Sequence, residues 1–140
     1  MNLFRSLSLC ALSALLVTGC ATRFDLQGHR GARGLAPENT LAAFSTALEV
    51  GVTTLELDVG ITRDGVMVIS HDRYLNADIA RDANGKHLAE RGPTIASISF
   101  AELQQYDVGQ LKAGSNYAKS FPTQKSVNGE RVPTLQSLFV

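Results

Sequence analysis

The chain of 140 residues has no tryptophan, only two cysteines, and no excess of either charge sign. Its 13 Lys and Arg residues balance 13 Asp and Glu residues, so net charge gives no indication of a nucleic-acid partner and none is expected. No apolar run reaches the ~20 residues of an ordinary membrane-spanning helix. The hydrophobic fraction of 44% is nevertheless that of a globular chain, which excludes wholesale disorder.

The first twenty residues have the pattern of a secretory signal peptide. A positive start at Arg5 precedes a mainly apolar stretch over residues 7–17, which leads into Val-Thr-Gly-Cys ending at Cys20. This ending resembles the lipobox of bacterial lipoproteins, in which the cysteine becomes the acylated first residue of the mature chain. We therefore expect a signal peptide over residues 1–19 and a membrane anchor through lipid on Cys20. The expected location is the bacterial cell envelope, periplasmic or associated with the outer membrane. The alternative is an ordinary signal peptide that happens to contain a cysteine.

The next part of the chain predicts a strand followed by a helix. Residues 24–28 fit a short strand, and Pro37-Glu38-Asn39-Thr40 fits a helix start with Asn39 as the N-cap. Gly51 is placed to end that helix. The predicted apolar face of the helix consists of Leu41, Phe44 and Leu48.

A hairpin with acidic side chains is predicted after Thr54. Alternation of period two places Glu56 and Asp58 on one face, and Asp64-Gly65 predicts a two-residue turn into a second strand over residues 66–71. That turn would place Asp58 opposite His71. The carboxylates fit either a solvated strand face or a hard cation such as Mg²⁺ or Ca²⁺, and the nearby imidazole favours the cation site.

The remaining segments predict less regular structure. Ser99 and Glu102 fit a capping box that opens a short helix, and residues 114–130 fit an irregular loop or insertion. Pro133-Thr134 fits another helix start. His87 lies in a polar stretch and is assigned to the surface.

His29 and Arg30 stand among glycines at the end of the first predicted strand. Glycine lets the backbone approach a ligand closely, and an arginine guanidinium offers a planar fork for phosphate oxygens. Neither a Walker loop nor a dinucleotide fingerprint is present. By itself, a histidine near glycines also fits a purely structural role.

Taken in order, five motifs resemble the glycerophosphodiester phosphodiesterase family. They are His29-Arg30-Gly31, Pro37-Glu38-Asn39-Thr40, Glu56-Leu57-Asp58-Val59, Thr62-Arg63-Asp64-Gly65 and His71-Asp72. The resemblance implies an α/β fold, the PLC-like phosphodiesterase (β/α)₈ TIM barrel, of which residues 20–140 would form the N-terminal part. It also implies an insertion at about residues 77–132.

The resemblance assigns roles to these residues. Glu56 and Asp58 would be ligands of a divalent cation, Ca²⁺ or Mg²⁺, with Glu38 close to the metal. Arg30 would hold the substrate phosphate. His29 and His71 would form the catalytic pair, with His29 as base and His71 as acid, although the sequence itself does not fix this direction.

The implied reaction converts a glycerophosphodiester into sn-glycerol 3-phosphate and an alcohol, as part of lipid metabolism. Alternatives are a phospholipase-D-like lyase that forms a cyclic phosphate, and a non-catalytic lipoprotein that binds phosphodiesters. The family's third carboxylate ligand would follow the helix that opens at Pro133, beyond Val140. A whole barrel takes roughly 250 residues, so we expect the chain of 140 residues alone to be inactive.

Overall fold

The computed structural model describes residues 24–139, so the predicted signal peptide and Cys20 lie outside the described residues. The strands are β1 (Gln27–His29), β2 (Thr54–Glu56), β3 (Val59–Ile61) and β4 (Met67–Ile69). The α-helices are α1 (Leu41–Glu49), α2 (Phe100–Leu103) and α3 (Asn116–Lys119), and 3₁₀ turns cover Ile95–Ser97 and Gln136–Phe139. Between residues 24 and 139, no helix is both long and apolar enough to cross a membrane.

The first three elements form a β-α-β unit. Strands β1 and β2 pair in parallel, with Gln27 beside Thr54 and His29 beside Glu56, and α1 makes the crossover between them. Because the strands are parallel, their carboxyl ends meet at one edge of the sheet. This edge carries the residues predicted for the site.

Helix α1 begins one residue later than predicted. Thr40, not Asn39, is the N-cap, and its Oγ1 accepts a hydrogen bond of 3.1 Å from the amide of Ala43. Asn39 instead adopts a left-handed backbone conformation with φ of 54°. The predicted helix end is confirmed, since the C-cap Val50 is followed by Gly51 at φ 87°.

The buried face of α1 also differs from the predicted one. Phe44 is buried as expected, but Leu41 and Leu48 are exposed, and the other inward positions belong to Ala43 and Ala47. The reason is the close approach of the helix to the loop after β1. A Cβ atom on Gly31 would lie 2.7 Å from the carbonyl carbon of Ala43, so only small side chains fit at this contact.

The predicted hairpin exists, but its predicted register is wrong. Strand β3 pairs antiparallel with β4 so that Val59 faces Ile69. The backbone carbonyl of Asp58 accepts a hydrogen bond from the amide of Ser70, so Asp58 stands opposite Ser70 and not opposite His71. The loop has three residues instead of two. The amide of Gly65, at φ 82°, donates to the carbonyl of Thr62, so the glycine adds one residue to the turn.

Most of the hydrophobic core lies in the later, less regular part of the chain. Its buried members are Val68, Leu75, Ala80, Ile95, Leu103, Val108 and Val132. The predicted capping box is confirmed, because Ser99 and Glu102 each bond the other's backbone amide at the start of α2. Residues 114–130 are irregular apart from α3, and Pro133-Thr134 leads into a 3₁₀ turn. His87 is half-buried rather than on the surface, and its Nε2 bonds the carbonyl of Gln110 at 2.9 Å.

Candidate active site

The strand ends bring most of the predicted site residues together. His29 is the last residue of β1 and Glu56 the last residue of β2, and their Nε2 and Oε2 atoms lie 3.9 Å apart. Asp58 directly precedes β3, and His71 follows β4 by two residues. Each of these four residues therefore ends or borders a strand.

The loop between β1 and α1 has a strained backbone. Arg30 has a φ of 55° and Asn39 a φ of 54°, a region that non-glycine residues rarely enter. The amide of Asn39 donates to the carbonyl of Arg30 at 3.0 Å, and the amide of Arg30 donates to Oε2 of Glu56 at 2.8 Å. These bonds hold a conformation that would otherwise cost about 1–3 kcal/mol per residue, a pattern common at functional sites.

The guanidinium of Arg30 lies between two carboxylates. Its NH1 donates to Oε1 of Glu38 at 2.8 Å, and its Nε lies 3.5 Å from Oδ2 of Asp58. The side chains of Arg30 and Glu38 are only 11% and 6% exposed. Burial alone would lower the pKa of Arg30, but the hydrogen bond and charge of Glu38 raise it overall, so the guanidinium stays charged.

Negative charge predominates around this guanidinium. Glu38 and Asp58 approach the guanidinium of Arg30, and Glu56 accepts from the backbone amide of the same residue, so three carboxylates lie near one arginine. Carboxylates at such close quarters repel each other unless a proton or a cation compensates them. A divalent cation has the charge that would balance this cluster.

The donor atoms are also of the type that a hard cation prefers. Next to Asp58, the side-chain oxygen Oδ1 of Asn39 is buried without a hydrogen-bond partner, while its Nδ2 donates to Oδ2 of Asp58 at 3.3 Å. Two carboxylates and a free amide oxygen suit Mg²⁺ or Ca²⁺. Among residues 24–139, however, no three His, Cys, Asp or Glu side chains form a group that could hold a metal ion.

The two histidines differ in which ring nitrogen carries the hydrogen. NH2 of Arg33 lies 3.1 Å from Nδ1 of His29, and because arginine can only donate, Nδ1 accepts and the ring hydrogen is on Nε2. Nδ1 of His71 lies 2.8 Å from Oδ1 of Asp72, and because a carboxylate accepts, Nδ1 carries a hydrogen, which in the neutral ring leaves the lone pair on Nε2. Asn76 holds the other oxygen of Asp72 at 2.8 Å.

A small cavity of about 50 Å³ lies beside His71. Its lining includes the polar residues Glu38, Asn39 and Asp72 and the apolar residues Leu75 and Val108. Glu38 and Asn39 belong to the β1–α1 loop, so this cavity joins the surroundings of His71 to the Arg30 cluster. His29 directly precedes Arg30 in the chain and lines a separate groove with Arg33 and Phe121.

The sequence did not identify four residues that contact the site: Arg33, Asn39, Asp72 and Tyr117. Asn39 and Asp72 belong to the quoted motifs. Each carries a side-chain oxygen directly beside a candidate site residue, which could have identified both from the sequence. Tyr117 donates a hydrogen bond to Oε2 of Glu38 across 79 positions of sequence, and nothing in its local pattern indicates this contact.

Comparison with known proteins defines the class of the molecule. The profile of the glycerophosphoryl diester phosphodiesterase family matches residues 29–140. A glycerophosphodiester phosphodiesterase from Caldanaerobacter subterraneus subsp. tengcongensis is 35% identical over 111 residues, which cover 79% of this chain and 37% of that protein. The chain belongs to the glycerophosphoryl diester phosphodiesterase family.

Solved structures support the same fold. A Silicibacter pomeroyi protein assigned to the glycerophosphoryl diester phosphodiesterases matches with a TM-score of 0.78 and 42% identity, over 80% of this chain and 38% of that one. An Oleispira antarctica phosphodiesterase in complex with the product sn-glycerol-3-phosphate matches with a TM-score of 0.54 and 33% identity, over 80% and 37%. The predicted fold class is confirmed: the chain corresponds to an N-terminal part of the (β/α)₈ barrel. It spans less than two fifths of the length of these relatives.

Proposed function

We propose that the protein carrying this chain hydrolyses glycerophosphodiesters to sn-glycerol 3-phosphate and an alcohol, within lipid metabolism. The observation that carries this proposal is the pair of histidines with complementary hydrogen-bond patterns, of which His29 directly precedes the buried Arg30 and His71 lines a cavity with Glu38. Binding a phosphodiester needs a cation, whereas an acid–base pair is needed only to break it. Membership of the family and the product-bound Oleispira antarctica relative support the same substrate class.

Arg30 is the proposed phosphate-binding residue. Its anchoring through NH1 to Glu38 fixes the guanidinium plane, and its charge attracts the anionic phosphodiester. Glu56 and Asp58, with Oδ1 of Asn39, would hold a divalent cation, Ca²⁺ or Mg²⁺, which as a Lewis acid would reduce the charge on the phosphate oxygens. These positively charged groups stabilise charge that develops on the phosphorus oxygens in the transition state.

The hydrogen bonds of the histidines favour a direction of proton transfer opposite to the one expected from the sequence. Nδ1 of His71 donates its hydrogen bond to Asp72, so the lone pair on Nε2 of the neutral ring can take a proton from the attacking oxygen. Nε2 of His29 carries a hydrogen, so it would serve as the donor to the oxygen of the leaving alcohol. We therefore propose His71 as the base and His29 as the donor.

The cation ligands provide the direct test of this function. In the protein that carries this chain, Glu56→Gln and Asp58→Asn should each abolish release of sn-glycerol 3-phosphate from glycerophosphocholine and weaken divalent-cation binding. Glu49→Gln, at an exposed position at the end of α1, is the matched control and should retain full activity. Full activity of either ligand variant in excess EDTA would contradict the proposal.

The two alternatives are separated by the product. A lyase would give a cyclic phosphate, which ³¹P NMR distinguishes from sn-glycerol 3-phosphate in the same reaction. A non-catalytic binding protein would bind glycerophosphocholine and leave it intact. The paired histidines favour hydrolysis over binding alone, because binding requires no acid–base pair.

We also propose that the protein is anchored to the bacterial cell envelope by lipid on Cys20. The support is the sequence before that residue, a positive start and an apolar stretch ending in Val-Thr-Gly-Cys. Cys20→Ser should give an unacylated protein that no longer fractionates with membranes. A free thiol on Cys20 in the mass spectrum of the wild-type protein would contradict this proposal.

A further inference from the structure

One carboxylate at the site connects Arg30 to a residue outside the motifs. Oε1 of Glu38 accepts from NH1 of Arg30 at 2.8 Å, and Oε2 accepts a hydrogen bond from the hydroxyl of Tyr117. Tyr117 lies on α3, inside the segment predicted as an insertion. Glu38 therefore bridges the proposed phosphate-binding guanidinium and the insertion.

The carboxylate of Glu38 is buried, so the loss of either of its hydrogen bonds would leave an oxygen without a partner. The side chain of Glu38 is 6% exposed, so water cannot readily replace a lost partner of either oxygen. Burial, and then the hydrogen bond to Glu38, raise the pKa of Tyr117 far above its usual range, so its hydroxyl remains a donor. Without that hydroxyl, Oε2 would be left unpaired and the carboxylate would be free to rotate away from Arg30.

The segment around Tyr117 is itself fastened to the β1–α1 loop. Phe121 packs edge-on against Tyr117 at 5.2 Å between ring centroids and lies 4.8 Å from the guanidinium of Arg33. Gln124 donates to the carbonyl of Arg33 at 2.7 Å, and Thr123 donates to the carbonyl of Gly34 at 2.9 Å. These contacts fix the position of the tyrosine hydroxyl relative to the loop that carries Arg30.

We propose that Tyr117 is a positioning residue for the phosphate-binding guanidinium of Arg30, acting through Glu38. This inference rests on the proposed function, in which Arg30 binds the phosphate of a glycerophosphodiester. Tyr117 touches neither histidine through a hydrogen bond, so it acts on phosphate affinity more than on proton transfer. The insertion then contributes to the site by orienting a group that belongs to the barrel.

The experiment compares Tyr117→Phe with Tyr106→Phe in the protein that carries this chain. Tyr106 packs against the hydrophobic core and does not line the cavity beside His71, so it controls for the loss of a hydroxyl as such. For Tyr117→Phe we expect KM for glycerophosphocholine and the inhibition constant of inorganic phosphate to rise about tenfold, with kcat changing less. Tyr106→Phe should leave all three constants unchanged. Equal effects of the two variants, or a fall in kcat alone, would overturn the proposal.

A double-mutant cycle with Arg30→Lys tests the route of the effect. Lysine keeps the charge but lacks the planar fork, so Glu38 can no longer orient it in the same way. If Tyr117 acts through Arg30, Tyr117→Phe should have little further effect on phosphate affinity in the Arg30→Lys background. Fully additive effects would show that Tyr117 acts elsewhere and would overturn the proposal.

Failure of the proposed function gives a different result from failure of this inference. If Arg30 does not bind phosphate, Arg30→Lys alone leaves phosphate inhibition unchanged, whatever residue 117 is. If only the role of Tyr117 is wrong, Arg30→Lys weakens phosphate binding while Tyr117→Phe behaves like the wild-type protein.

Discussion

The two regions on either side of the β3–β4 hairpin loop differ in how they bury apolar surface. Residues 24–61 contain three of the four strands and the longest helix of the described chain, yet several of their large apolar side chains are exposed. These are Phe24, Leu26, Leu35, Leu41, Leu48, Val50, Val59 and Ile61. Residues 66–132 have only short elements but bury a continuous core that includes Val68 and Leu103 at 0% exposure.

This difference shows that regular secondary structure and self-contained packing are separate properties. Strands of a parallel barrel are covered on both faces by other parts of the sheet and by helices, so their apolar side chains need neighbours. The irregular region closes on its own side chains instead. The site lies where the two regions meet, because Arg30 and Glu56 come from the first region, whereas His71 and Tyr117 come from the second.

The largest expected effects concern the two histidines, which contribute one side chain from each region. His29→Ala and His71→Ala should each lower kcat by roughly 10²–10⁴, because each removes one partner of proton transfer. Their combined effect should be far from additive, since both act in one reaction cycle. Steady-state kinetics on glycerophosphocholine measure this, with His87→Ala as the control.

One result would break the view of a single site built from two regions. An active His71→Ala variant with an unchanged pH profile would leave catalysis to the first region alone. His71 would then have a structural role only.

Much of the site was predictable because its signals are local. His29, Arg30, Glu56 and Asp58 stand at the ends of strands that period-two alternation and glycine punctuation identify. The capping box at Ser99 and the helix end at Gly51 follow from similarly local chemistry. These features depend on a few adjacent residues, which the sequence displays directly.

The predictions that were wrong or missing depend on contacts between distant residues or on the exact length of a turn. The hairpin register depends on whether Gly65 adds a third loop residue, and Asp64-Gly65 fits both turns. The buried face of α1 depends on a backbone contact between Gly31 and Ala43, which helical periodicity does not encode. The contact of Tyr117 with Glu38 joins residues 79 positions apart, so only the folded chain reveals it.

A smaller effect should separate the two regions by stability. Leu103→Ala should lower the free energy of unfolding by about 2–5 kcal/mol, because it leaves a cavity in the closed core. Leu48→Ala is the matched change on α1, where the side chain is 60% exposed, and should change that free energy by less than about 0.5 kcal/mol. Urea denaturation of both variants in the protein that carries this chain makes the comparison. A loss for Leu48→Ala as large as that for Leu103→Ala would mean that Leu48 is packed against residues other than 24–139.

The smallest expected effect concerns helix capping in the irregular region. Ser99 caps α2 through its Oγ, and Oε2 of Glu102 accepts in return from the amide of Ser99 at 2.7 Å. Ser99→Ala should therefore cost about 1 kcal/mol of unfolding free energy at pH 7. Ser45→Ala, at an exposed position within α1, is the control and should be neutral or slightly stabilising, because alanine favours a helix interior.

The stability cost of Ser99→Ala should depend on pH, because Glu102 in the same capping box is ionisable. Hydrogen bonds from the amide and side chain of Ser99 lower the pKa of Glu102 below its ordinary 4.5, and Arg63 adds to this. A carboxyl group with a lower pKa in the folded state stabilises the fold above 4.5, and this contribution disappears as the pH falls through the folded-state value. Ser99→Ala should thus cost less at pH 3 than at pH 7, as measured by urea denaturation at both values. An equal cost at both pH values would show that the stabilisation by Ser99 does not depend on the ionised Glu102.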